Sequence, residues 1–273
     1  MDKSLYVDKQ FERHLDEFKK HFPKLELVYM AIQGSQNYDL DEYNDYYHSD
    51  IDTKAIVLPS LDDIILNKDP ISKTFVLDNN EHIDIKDIRI MFECFKKQNI
   101  NFIEILFSRY YYINPKYEQF FIPLLEHREE IARLNYNQAL RCMSGMSMQK
   151  LVALCHPYPT IKDKIDKYGY DGKQLHHIIR MNDFIKNYVA NKSYKECLTS
   201  YANKELLWKA KLNMFSLEEA KQLAMKYDEE THNIATNNLL EEDHLNYNAI
   251  EILSKCQYNC IRKYLTEELR EEI

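Results

Sequence analysis

The sequence predicts an α+β protein, with a mixed β-sheet core and helices followed by an all-α C-terminal region. Short runs rich in β-formers lie between residues 25 and 85, whereas apolar residues recur at helical spacing beyond about residue 120. The chain has 273 residues, of which 45% are hydrophobic and 29% charged, so it can bury a globular core. We expect domains at 1–118 and 119–273, packed together with a ligand cleft between them.

The first elements follow from local periodicity. Apolar residues at helical spacing predict a helix over residues 8–21, which Pro23 stops. The run LELVYMAI at 25–32 predicts a buried strand that ends in a tight turn at Gly34-Ser35, and TKAIVL at 53–58 predicts a second strand. Residues 73–77 and 82–85 flank a turn-rich tetrapeptide and predict a β-hairpin, and a helix is expected over about 87–98.

Two acids stand at the entry of the second strand. Asp50 and Asp52 are two residues apart, so on a strand they project together while Ile51 points into the core. Paired carboxylates repel each other unless a cation lies between them, and Mg²⁺ binds such a pair together with substrate phosphates. A glycine turn at Gly34-Ser35 lets backbone N–H groups approach a phosphate, helped by a following helix N-terminus. The stretch predicts a site for a metal-bound nucleoside triphosphate; the alternative is a solvated strand end.

A third carboxylate is sought beside this pair, because two-metal transfer needs a further acid. Asp84 alternates with Ile83 and Ile85, which places it on the polar face of its strand. Asp87 is the competitor, but it precedes an apolar-periodic run and fits the first turn of a helix better. We therefore choose Asp84.

The second half contains one informative stretch, KYGYDGKQLHHIIR at 167–180. A helix is predicted from about Gly172 to Val189, and Lys173, His177 and Arg180 fall on one line opposite its apolar face. This line is either a solvated helix face or an anion-binding ledge without interleaved acids.

Composition excludes several classes of function. The net charge of −8 argues against non-specific coating of nucleic acid, although a local basic cleft would suffice for a nucleic-acid end. No apolar run reaches about 18 residues and the N-terminus has no signal-peptide core, so we expect no membrane contact and a cytoplasmic location. Six cysteines show no C-x-x-C pair, so zinc is not expected. Tyr110 to Tyr112 either stack a base or pack in the core, and Glu104 is either buried and paired or exposed.

The order of these motifs resembles the signature of the DNA polymerase β-like nucleotidyltransferase superfamily. That signature is a strand that ends at a Gly-Ser turn, here Gly34-Ser35, then an acid pair, here Asp50 and Asp52, and a third acid on a neighbouring strand, here Asp84. Most of the chain resembles one family of this superfamily, the YcgL-like predicted nucleotidyltransferases of bacteria and phages. Three further blocks carry this resemblance: NFIEILFS at 101–108, KYGYDGKQLHHIIR at 167–180 and LWKAKLNMFSLEEA at 207–220. The interval from Gly34 to Asp50 is longer here than in compact members, and a glycine expected near Asn213 is replaced.

The resemblance implies a nucleotidyltransferase-type core and Mg²⁺-dependent transfer of an NMP from ATP or another NTP to a hydroxyl acceptor, with release of pyrophosphate. Asp50, Asp52 and Asp84 carry over as catalytic acids and ligands of two Mg²⁺ ions, with Mn²⁺ as the alternative ion. Gly34 and Ser35 carry over as the phosphate-binding turn. Lys173, His177 and Arg180 match the family's pattern, and a nucleotide-binding role is inferred for them.

The resemblance leaves the acceptor open among a tRNA or other nucleic-acid end, a protein and a small molecule. Two other classes also remain. One is a catalytically inactive, antitoxin-like or regulatory interaction protein with the nucleotidyltransferase fold. The other is a module that binds nucleic-acid ends without chemistry.

Overall fold

The computed structural model describes residues 2–44, 46 and 48–271. The strands are β1 (Leu27–Gln33), β2 (Asp52–Val57), β3 (Ser72–Val76), β4 (His82–Asp87) and β5 (Tyr111–Ile113). The helices are α1 (Lys3–His21), α2 (Leu61–Ile65), α3 (Ile88–Lys96), α4 (Ile100–Ile103), α5 (Glu118–Glu126), α6 (Arg128–Ala132), α7 (Tyr136–Ala153), α8 (Lys162–Tyr168), α9 (Gly172–Val189), α10 (Tyr194–Thr199), α11 (Lys204–Lys211), α12 (Leu217–Asn237) and α13 (Tyr247–Glu271). Short 3₁₀ turns cover Ser35–Tyr38, Glu104–Phe107 and Pro159–Ile161.

The chain forms two compact units. One runs to Leu134 and resumes at Asn246, and it contains the sheet with α1 to α6 and α13. The other is Asn135–Leu245 and contains α7 to α12. The predicted division between residues 118 and 119 falls inside the first unit, at the start of α5.

The sheet of the first unit is mixed, with strand order β3-β4-β2-β1-β5. β2 and β4 are parallel, and the other neighbouring strands are antiparallel. The predicted α+β class, the mixed sheet and the helical character of the C-terminal region are confirmed. The strand β5 was not predicted, because three residues at a sheet edge carry too little periodicity to identify.

Helices cover both faces of the sheet. On one face, Phe11 and Phe18 of α1 pack with strand residues that include Ile32, Ile51 and Ile83, all of them buried. On the other face, the hydroxyl of Tyr29 donates to the Ile105 carbonyl at 2.8 Å, and its ring stacks on Phe121 with centroids 4.5 Å apart. The helix α13 packs on α3, α5 and α6 in the same unit.

The second unit is organised around α9, which packs against α7, α10, α11 and α12. Buried polar contacts tie these helices together. Ser147 of α7 donates to Asp228 at 2.6 Å, and Asn182 of α9 donates to Thr231 at 3.2 Å, both acceptors lying on α12. The chain between α11 and α12 passes through Asn213, whose φ of 55° is left-handed. Asparagine tolerates that conformation better than most residues other than glycine, so it fits the position where the resemblance predicts a glycine.

Most predicted elements have the expected type and position. The α1 helix begins earlier than predicted, because Asp2 caps it by accepting the N–H groups of Ser4 and Leu5. The helix α9 spans Gly172–Val189 as predicted. The NFIEILFS segment that contains Glu104 forms the helix α4 followed by a 3₁₀ turn. None of the described helices is long and apolar enough to cross a membrane.

Candidate functional site

The Gly34-Ser35 turn ends β1. Gly34 has φ 89° and ψ −141°, a backbone conformation that strongly favours glycine, whereas a Cβ there would meet nothing within 4 Å. Its N–H donates to Oε2 of Glu104 at 3.0 Å, and Glu104 is buried, so the paired alternative for this acid is correct. The helix expected after the glycine is a single 3₁₀ turn, Ser35–Tyr38, too short to supply a helix dipole.

The turn and the acid pair meet at one end of the sheet. Gln33, the last residue of β1, pairs in register with Asp52, the first residue of β2. The side chain of Gln36 donates to the backbone carbonyl of Asp50 at 3.2 Å and accepts from the Ser35 hydroxyl at 3.3 Å. The end of β1 and its turn are therefore joined to the acid pair by strand pairing and by a side-chain hydrogen bond.

Ring stacking and backbone hydrogen bonds hold the chain between Gly34 and Asp50 in place. Tyr43 and His48 form an isolated antiparallel bridge, their rings stack at 4.3 Å, and the ring of Tyr6 on α1 lies 4.6 Å from His48. Ser49 and Glu42 exchange hydrogen bonds of 2.8 Å, from the N–H of Ser49 to the Glu42 carbonyl and from the Glu42 N–H to the Ser49 hydroxyl. These contacts fix the chain just before Asp50.

Asp50 and Asp52 have different surroundings. Asp50 is exposed, whereas Asp52 is partly buried and its Oδ1 accepts from the backbone N–H of His82 at 2.8 Å. The Nδ1 of His82 lies 3.1 Å from the same oxygen. Ile51 between the two acids is fully buried in the core, as predicted.

Asp84 lies on the strand next to the acid pair. In the parallel pairing of β2 with β4, Asp84 stands opposite Lys54, which is two residues after Asp52 and so shares its face. Nζ of Lys54 lies 3.3 Å from Oδ2 of Asp84, and Nζ of Lys86 lies 2.9 Å from Oδ1. Lys54 also donates to the side chain of Gln33 and lies 4.9 Å from the ring centroid of Phe102.

The competitor Asp87 caps a helix. It is buried and accepts the Arg89 N–H at 2.8 Å and two guanidinium bonds at 2.9 and 2.7 Å, as the N-cap of α3. Its carboxylate is satisfied inside its own turn, in agreement with the capping interpretation.

Sequence reasoning missed a buried network beneath the acid pair. Oε2 of Glu81 lies 3.0 Å from Nε2 of His14 and pairs with Arg13, and Oε1 accepts the Ile51 N–H at 3.1 Å. Nδ1 of His14 lies 3.0 Å from the Thr53 hydroxyl. Burial raises the pKa of Glu81, but bonds from His14, Asn79 and the Ile51 N–H outweigh it, so this pKa lies below its ordinary value. The network holds the residues on both sides of Asp52, through the Ile51 N–H and the Thr53 hydroxyl.

Sequence reasoning also missed Lys54, His82 and Lys86. A signal existed, because the alternation in HIDIK at 82–86 places His82, Asp84 and Lys86 on one strand face. The partner strand and its register, which bring Lys54 to Asp84, lie outside that local pattern.

The donor set of Asp50, Asp52 and Asp84 is all carboxylate oxygen, which suits Mg²⁺ or Mn²⁺. Within the described part of the chain, Oδ1 of Asp84 is buried and accepts no hydrogen bond of good geometry, although Nζ of Lys86 lies 2.9 Å away. No group of three or more His, Cys, Asp or Glu side chains among residues 2–44, 46 and 48–271 is arranged to hold a metal ion. Metal binding by these acids stays a prediction.

The predicted cationic line lies in the second unit. Lys173 is exposed and His177 is partly buried, but Arg180 is only 3% exposed, so the alternative of a solvated helix face does not hold for the whole line. The reason is that α9 is covered by helices on several sides. Burial, followed by the charges of Arg180, His176, Lys150 and Lys173, holds the pKa of His177 well below its ordinary value.

The tyrosines at 110–112 belong to the sheet edge. Tyr110 and Tyr112 pack against the core beside α1, and Tyr111 on β5 stays about half exposed. The ring of Tyr111 stacks on Tyr29 with centroids 5.9 Å apart, so all three rings pack against neighbouring side chains.

Comparisons of the chain with protein-family models, with curated proteins and with solved structures found no match.

Proposed function

We propose that this chain is a Mg²⁺-dependent nucleotidyltransferase that moves an NMP from an NTP to a hydroxyl acceptor and releases pyrophosphate. The supporting observation is the convergence, at one end of the sheet, of the Gly34-Ser35 turn with Asp50 and Asp52, next to Asp84 on the adjacent parallel strand. The same motifs, in the same order, carry the resemblance to the DNA polymerase β-like superfamily.

In this proposal Asp50, Asp52 and Asp84 would hold the metal. Bound Mg²⁺ would lower the pKa of the acceptor hydroxyl and neutralise charge on the departing pyrophosphate. The acceptor oxygen forms a bond to the α-phosphorus, the bond from that phosphorus to pyrophosphate breaks, and the hydroxyl proton is released.

The surrounding residues position the acids. The N–H and Nδ1 of His82 orient Asp52, and the bond from the Ile51 N–H to Glu81 fixes the peptide between the two acids. The N–H of Gly34 is engaged by Glu104, so Gly34 contributes the shape of the turn. We assign phosphate contact to the hydroxyl of Ser35, which would exchange its 3.3 Å bond to the neighbouring Gln36 for one to a phosphate oxygen.

The test is transfer of label from each α-³²P NTP, with Mg²⁺, into cellular RNA, DNA, protein or small molecules. We expect Asp52→Asn and Asp84→Asn to reduce labelling at least about a hundredfold, because each removes a charge that acts in the transition state. Asp78→Asn is the matched control, since Asp78 is an exposed acid in the turn of the same hairpin. Circular dichroism verifies folding, and full labelling by folded Asp52→Asn would refute the proposal.

A second candidate is the catalytically inactive interaction protein. The observation in its favour is that Lys54 and Lys86 already balance the charge of Asp84 without a metal. Calorimetry with each NTP separates the two candidates. Mg²⁺-dependent binding that Asp52→Asn abolishes supports the transferase, and no binding of any NTP supports the inactive protein.

A further inference from the structure

A cluster of basic side chains lies within the second unit, where the end of α7 meets the start of α9. The N–H of Asp171 donates to the Leu154 carbonyl at 2.8 Å, which fixes the first turn of α9 beside the last turn of α7. Lys150 belongs to that last turn of α7. We call Lys150, Lys173, His177 and Arg180 the basic cluster.

The solvent exposure of the side chains in the basic cluster decreases from the surface to the interior. Lys173, at the start of α9, is exposed, Lys150 and His177 are partly buried, and Arg180, two turns further along α9, is 3% exposed. The spacing of 173, 177 and 180 places three of the four side chains along one line of the helix. An anion held beside Lys150 and His177 would therefore be partly shielded from water, which strengthens its attraction to the cations.

Asp171, whose charge acts on Lys150, is also engaged in hydrogen bonds of its own. Asp171 caps α9, its Oδ1 accepting the Lys173 N–H at 3.0 Å and its Oδ2 accepting Nε2 of Gln174 at 3.0 Å. Among the described side chains, no carboxylate forms an ion pair with Lys150 or Lys173. Lys186, further along α9, instead pairs with Glu230 at 2.8 Å.

The charges of the cluster act on one another. Burial, together with the charges of Lys173 and Arg180, lowers the pKa of Lys150, and Asp171 opposes this shift. The depressed pKa of His177 keeps its imidazole neutral at pH 7, where one ring N–H can still donate a hydrogen bond. Two lysines and one arginine thus concentrate positive charge in a chain whose net charge is −8.

We propose that the basic cluster is a binding site for a phosphate or polyphosphate group, with Lys150 as a member that the sequence did not reveal. Lys150 and Lys173 would supply point charges to the phosphate oxygens and His177 a ring N–H, while the buried charge of Arg180 adds to the positive potential at the site. The anion binding itself does not require the proposed transfer reaction.

The test is calorimetric titration of the full chain with inorganic tripolyphosphate, without Mg²⁺, at low salt. We expect saturable binding that Lys150→Gln and Lys173→Gln each weaken by about tenfold, as expected for loss of one charge-assisted contact. Lys186→Gln is the matched control on the same helix, and it should bind like the wild type because its charge is already paired with Glu230.

Further measurements distinguish a free nucleotide from a nucleic-acid end as the source of the phosphate, and distinguish anion binding from the proposed transfer reaction. Competition by ATP but not by a 5′-phosphorylated oligonucleotide identifies a free nucleotide as the ligand, and the reverse identifies a nucleic-acid end. The folded Asp52→Asn variant should bind tripolyphosphate unchanged, even if transfer is absent in every protein. The proposal is overturned if the wild type does not bind, if Lys186→Gln weakens binding as much as Lys150→Gln, or if Asp52→Asn abolishes it.

Discussion

Replacement of His176 by glutamine should make the second unit less sensitive to acid. His176 lies on α9, is 8% exposed, and has Nδ1 3.0 Å from the Leu207 carbonyl on α11. Burial is the main cause that lowers its pKa to about 4, aided by Arg180 and Lys211 and opposed by the bond to Leu207. The folded protein therefore holds this imidazole neutral at a pH where the unfolded chain protonates it.

The sign and size of the effect follow from linkage. Between about pH 6.5 and pH 4 the unfolded chain binds more protons at His176 than the folded protein, so stability falls as the pH falls through this window. With those two pKa values, His176 alone removes about 2 kcal/mol of unfolding free energy between pH 7 and pH 5. His176→Gln should lose about that much less over the same interval, while its amide can still donate to Leu207.

The assay uses the one tryptophan of the sequence, Trp208, which lies on α11 directly after Leu207. Its fluorescence during urea unfolding at pH 7 and pH 5 reports the stability of the second unit. His156→Gln is the control, since His156 is exposed in the same unit and should follow the wild type. Equal losses of stability in the wild type and His176→Gln would refute the assignment of this acid sensitivity to His176.

Two further predictions concern packing and buried charge. Gly172→Ala should destabilise the second unit by about 3 kcal/mol, because a Cβ there would collide with the Ala210 carbonyl. At Gly145 a Cβ would meet nothing within 4 Å, so Gly145→Ala should be neutral or stabilising. Urea unfolding followed by tryptophan fluorescence compares the two variants, and equal effects would contradict this reasoning. Glu81→Gln should cost about 3 kcal/mol at pH 7, because it leaves His14 without its carboxylate partner. The folded pKa of Glu81 lies below its ordinary value of 4.5, so this stabilisation is present above pH 4.5 and is lost as the pH falls through the folded pKa. Thermal unfolding should therefore show a smaller stability difference between the wild type and Glu81→Gln at pH 4 than at pH 7. An equal difference at both pH values would contradict this reasoning.

The elements that the sequence predicted correctly depend on local signals. The apolar run before Gly34 became β1, the hairpin around residues 78–81 became β3 and β4, and Asp87 caps α3. Each depends on periodicity, turn residues or a capping side chain within a few positions, and such interactions are already specified by neighbouring residues.

The elements that the sequence did not predict depend on distant partners. β5 is a strand because Tyr111 to Ile113 pair with β1, about 80 residues earlier. The helix α13 lies in the same unit as α3, although the predicted division would have separated them. Arg180 is buried because helices distant in sequence surround α9.

The sequence by itself determined the fold class, the glycine turn and the choice of candidate acids, since these follow from residue type and spacing. Only the tertiary structure decided what those acids meet. The register of β2 with β4 brings Lys54 to Asp84, and the packing of α1 brings His14 and Glu81 beneath Ile51. Charge pairing and burial depend on distances between residues far apart along the chain, and local periodicity contains no information about those distances.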